Sequence, residues 1–162
     1  MNTGVRVAIL TLVLAGAPAS SLAFPGGLTF RGKVKCMSLY NHGSSAAQGT
    51  DIVTLTFTPA STDPNMEEGT VALTHTEMTT AGVYLGAALD YTALLSDQSD
   101  VGMLAIQDPL SDGDDLQRGA IADFKPKPDG SIGALRIVFY AHDLFEGVAQ
   151  KCSGTLKRVV EI

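Results

Sequence analysis

Apolar side chains recur at every second position in block after block of this chain, and polar, glycine- and proline-rich breaks separate the blocks. In residues 51–58 (DIVTLTFT), Val53, Leu55 and Phe57 share one face while Ile52, Thr54, Thr56 and Thr58 share the other. That period of two marks a half-buried strand. The same alternation runs through residues 30–39, 70–76, 134–142 and 148–159, with Val71, Leu73 and His75 on one face of the second of these. Residues 101–107 (VGMLAIQ) are apolar on both faces and predict a fully buried strand. Residues 83–91 fit helix or strand by pattern alone; their neighbours favour strand. Residues 119–124 face 134–142 across Pro128-Asp129-Gly130, a turn sequence that predicts a hairpin. Residues 41–49, 60–69 and 108–117 carry the signals of exposed loops.

The pattern predicts an all-β chain of about eight antiparallel strands with no convincing helix. An even count lets the first and last strands lie antiparallel, so an up-and-down β-barrel is preferred over a two-sheet β-sandwich. Those two strands carry the only cysteines, Cys36 and Cys152. If they face each other, Val34 faces Gly154 and Gly32 faces Leu156, which places a small residue in each flanking pair where the ring closes. A disulfide there closes a long loop and contributes about 4 to 5 kcal/mol in the chain-entropy model.

The start of the chain sets the compartment in which such a bond forms. Residues 1–6 carry one positive charge, residues 7–15 are apolar, and a small-residue stretch ends at Ser21-Leu22-Ala23. This reads as a secretory signal peptide over residues 1–23, cleaved before Phe24, with cleavage after Ala19 as the alternative. The apolar run is about half the ~20 residues of a spanning helix, so no membrane insertion is expected. One β domain over residues 24–162 remains, in the periplasm or secreted. Removing Arg6 with the leader moves the formal charge from −6 to −7. An acidic domain disfavours nucleic acid and anionic membrane surfaces as partners. With no Trp and few aromatics, a sugar-stacking face is weakly supported.

Chemistry is sparse. His42, His75 and His142 match no metal-ligand spacing, and no Cys-x-x-Cys, nucleophile elbow or phosphate-binding glycine loop occurs. His75 and Glu77 share a strand face and form a candidate proton relay. Asp90, Asp123, Tyr91 and Arg136 fall inside strands, where a charge belongs more often to the solvated face. His75, Asp90 and Asp123 are the candidate ligand-binding set, on the condition that they converge on the interior. Six carboxylates between Asp97 and Asp115 form an oxygen-rich stretch, but the twelve-residue calcium loop is not matched, and no metal or cofactor is assigned. In strand count the plan resembles lipocalin-like and avidin-like barrels; the Gly-x-Trp signature of a lipocalin is absent, and no family is assigned. The expectation is an exported, non-catalytic binding or interaction module for a small apolar or amphipathic ligand or a protein partner. The alternative is an isomerase- or cyclase-type barrel enzyme using His75 with Glu77, or an inward Asp.

Overall fold

The computed structural model describes residues 24–62, 66–77, 88–96, 101–107, 116–143, 145 and 147–160. Eight strands follow one another: β1 (Thr29–Tyr40), β2 (Ser45–Thr62), β3 (Met66–Glu77), β4 (Ala88–Ser96), β5 (Val101–Gln107), β6 (Leu116–Pro126), β7 (Ile132–Asp143) and β8 (Val148–Arg158). Each pairs antiparallel with the next and β8 pairs with β1, so the sheet is a closed up-and-down barrel. Among the described strands, closure leaves no edge for another chain to extend.

The seam between β1 and β8 takes the register that its sequence dictates. Cys36 stands opposite Cys152 and Val34 opposite Gly154, and the disulfide joins the two cysteines. A Cβ on Gly154 would fall 2.5 Å from the Lys33 carbonyl oxygen and 3.0–3.1 Å from Val34, so the small residue is needed for the backbones to come this close. Both cysteines are buried, which sets the bond inside the wall rather than on it.

Several strands outrun their sequence boundaries. β2 begins at Ser45 inside the expected 41–49 loop, of which only a 3-10 turn, Asn41–Gly43, remains. It also continues past Pro59, which is in register with Gly69, to Thr62, and a register shift between Pro59 and Ser61 leaves Ala60 as the extra residue of a bulge. β3 starts at Met66, within the expected 60–69 loop. β5 is not buried on both faces: it alternates, with Val101 and Met103 exposed and Leu104 and Ile106 enclosed. Of the 83–91 block, residues 83–87 lie outside the described residues, as do residues 1–23, the expected leader.

The β6–β7 turn is held as its sequence implies. Gly130 N–H donates to Lys127 O at 2.8 Å, and Ser131 donates to Asp129 Oδ1 from its hydroxyl at 2.7 Å and its backbone at 2.9 Å. The Ser131 hydroxyl, then the Ser131 N–H, hold the Asp129 carboxyl below its ordinary value. A depressed folded value means that this bond supports the fold above the carboxylate range and is lost as pH falls through that range. Ser131→Ala is expected to raise the Asp129 titration midpoint in a carboxyl-carbon NMR titration; an unmoved midpoint contradicts the assignment.

Inward positions form one apolar core running from Phe30 and Phe57 to Phe139 and Cys152, with exposure of 0–5% throughout. Followed from Glu67 across successive partners, a row of inward positions passes Leu104, Ile137 and Val34 and arrives at Asp51, beside the Ile52–Glu77 pairing. The row therefore returns to β3 at its far end. This stagger tilts the strands and sets Glu67 and Asp51 near opposite mouths of the barrel.

Candidate functional site

A chamber for a ligand would leave its lining side chains accessible, because any space that admits a small molecule also admits water. The inward Val, Leu, Ile, Phe and Ala side chains are almost fully enclosed instead. Among the described residues the interior is filled, and buried polar side chains lie towards its two ends.

At the first end, Tyr91 donates its hydroxyl hydrogen bond to Glu67 Oε1 at 2.6 Å, and both side chains are buried. The Tyr91 ring meets Phe57 edge-on at 5.0 Å, and Phe57 meets Phe30 at 5.9 Å. Residues 24–28 cross this end. Gly27 N–H donates to Phe57 O and Phe57 N–H to Leu28 O, both at 3.0 Å, while Phe24 and Leu28 pack on the core. A Cβ on Gly26 would fall on the Glu67 carboxylate, so glycine there lets the segment lie over the pair.

Burial, then the hydrogen bond to Glu67 and its charge, push the Tyr91 phenol far above its ordinary value. A raised folded value means that its contribution to stability is intact below about pH 10, the ordinary Tyr value, and is lost as pH rises beyond it. Tyr91→Phe is therefore expected to flatten the loss of stability above about pH 10, and to leave the phenolate absorbance rise before unfolding unchanged. An absorbance rise that shrinks in the variant contradicts the burial of this group.

At the second end, Gln150 Nε2 donates to Ser38 Oγ at 2.8 Å, with both residues buried, and Asp51 is 2% exposed. Outside the wall at this end, His42 and His142 line one groove of about 210 Å³ with Leu39, Gly43, Gly147 and Ala149. His42 sits in the left-handed region (φ 54°), and its N–H donates to Gly147 O at 3.0 Å, clamping the β1–β2 and β7–β8 connections together.

The sequence-derived set does not assemble inside. Asp90 is exposed on β4, and Asp123 is exposed on β6 with its carboxylate 3.9 Å from the Arg136 guanidinium. Their phase along the strands puts them on the outer wall, because Leu89, Tyr91, Ala122 and Phe124 take the inward positions. Asp123 lines a different, outer groove of about 350 Å³ with Val101, Phe124, Lys125, Ala134, Arg136 and Thr155. The His75 backbone pairs with Val53, and Glu77 pairs with Ile52; the side chains of both lie outside the described residues, as do residues 97–100 and 108–115 of the acidic stretch. Among the described residues, no group of three or more His, Cys, Asp or Glu is arranged to hold a metal.

The buried polar residues that sequence reasoning missed had a signal. Asp51 is in phase with Val53, Leu55 and Phe57, and Ser38 with Val34 and Cys36. Glu67 is in phase with Val71 and Leu73, but its block reads as a loop. The outer wall carries a second feature. Leu94 pairs with Met103, Ile121 lies one row on opposite Ala105, and the three large side chains are 48%, 51% and 55% exposed. No protein-family model and no curated protein matches the chain.

Proposed function

We propose that this chain is an exported β-barrel interaction module that engages a protein partner through its outer wall and performs no catalysis. The observation that carries the reading is the filled interior beside an exposed apolar stripe of Leu94, Met103 and Ile121 on β4–β6. Adjoining exposed apolar side chains on a water-facing sheet mark a contact surface. The opposite arrangement, an apolar wall around a polar lumen, is that of a lipid-spanning barrel; here Lys33, Lys35 and Lys157 point outwards from an apolar core. The disulfide is in keeping with the periplasm or the extracellular space. No helix among the described residues is long and apolar enough to cross a membrane. The enzyme alternative has less to work with, since Asp90 and Asp123 point outwards and the inward Asp51 and Glu67 are closed off.

Photo-crosslinking in the producing cell tests the reading. A crosslinking side chain at Met103 or Ile121 is expected to trap one defined protein, while the same group at Thr56 or Thr58, outward on β2, traps none. Equal yields at all four positions would overturn the stripe as the interface.

A further inference from the structure

The net charge of this chain conceals a division of charge around the ring. β1 and β8 contain no Asp or Glu, and β2, β3, β4 and β5 contain no Lys or Arg. Because β8 pairs with β1, the two strands without acid form one continuous wall. Arg31, Lys33 and Lys35 project outwards from alternate positions of β1, Lys151 and Lys157 from β8, and Arg136 from β7, all exposed. The carboxylates Glu68 and Asp90 face solvent on β3 and β4, across the barrel.

A second detail argues that this wall is built to meet an anionic surface. Apolar and hydroxyl side chains are also interleaved with the cations. Lys151 is flanked by Met37 and Tyr140, Val138 lies beside Ser153, and Arg136 lies beside Thr155. Met37 and Tyr140 are 47% and 45% exposed.

We propose that the β7–β8–β1 wall adsorbs to an anionic phospholipid surface, without insertion. A soluble polyanion would use the cations but gain nothing from exposed Met37 and Val138. A bilayer interface uses both, with phosphates against Lys and Arg and the headgroup boundary against the apolar side chains and Tyr. The formal charge of −6 does not oppose this. With strands about 4.8 Å apart, the acidic wall stands roughly 15 Å behind the basic one, beyond the Debye length of about 8 Å at physiological salt. This surface is distinct from the apolar stripe on β4–β6.

Co-sedimentation of the mature chain with vesicles tests the proposal. Vesicles of phosphatidylglycerol and phosphatidylcholine at 3:7 are expected to pull the chain down at low salt, and phosphatidylcholine alone is not. The outward triple variant Lys33→Gln, Lys35→Gln, Lys157→Gln should bind on the order of 100-fold more weakly, from a few-fold per cation near the surface. Glu68→Gln with Asp90→Asn should bind no more weakly than the parent, and melting curves confirm that both variants fold. Absence of sedimentation, equal binding by the triple variant, or binding to soluble polyphosphate with none to the vesicles would overturn it. Crosslinking at Met103 and Ile121 reads the protein-partner surface separately.

Discussion

Replacing both cysteines by alanine is expected to destabilise the barrel by about 4 to 5 kcal/mol, the chain-entropy value for so long a loop. The bond spans 116 positions and ties the first strand to the last, so the unfolded chain is released from one long closed loop when the bond is absent. Alanine leaves no thiol to be buried unpaired, which isolates the loss of the crosslink. A change of this size lowers Tm by on the order of 15 °C for a domain of this length. Thermal unfolding with and without reductant measures it. The parent in reductant should approach the double variant if the bond is reached, and a double variant that melts within a few degrees of the parent contradicts the stapling role.

Phe57→Ala is expected to cost about 3 to 5 kcal/mol. The ring fills the centre of the first barrel end: it touches Phe30 and Tyr91 edge-on, it is 1% exposed, and its backbone carries the hydrogen bonds that hold residues 24–28 across the mouth. Removing it opens a cavity under that segment and leaves the Glu67–Tyr91 pair without its apolar cover. The loss should appear in urea unfolding as a lower midpoint. It should also appear as faster amide exchange at Gly27 and at position 57, whose N–H groups make those bonds. A midpoint within about 1 kcal/mol of the parent would contradict the packed interior, since buried Phe truncations cost several-fold more.

Much of the barrel was legible because alternation reports the face of each side chain, and alternation is strong at Val53–Leu55–Phe57 and at Ile137–Phe139. The seam was legible for a further reason: with Cys36 on Cys152, a register that only one alignment gives, Gly154 falls opposite Val34 and supplies a small residue beside the bond. Strand ends were not legible. Pro59 and the acidic run after it look like a loop, yet the barrel carries β2 through the proline at a register shift, a choice made by pairing with β3 and not by local propensity. That misreading hid Glu67. The outward residues of β5 are apolar, so its pattern could not separate a buried strand from an exposed stripe. Charge was misleading in the same way. A single net value could not show that β1 and β8 lack acid and β2–β5 lack base, because their positions around the ring exist only once the barrel closes.

The claim that joins these observations is that the interior is occupied by its own side chains and the outer wall does the work. Native mass spectrometry of the protein, desalted without denaturant, tests it most directly. The expected mass is that of the polypeptide alone, with both cysteine thiols oxidised to the disulfide. A small molecule retained in stoichiometric amount, released only on unfolding, would contradict it.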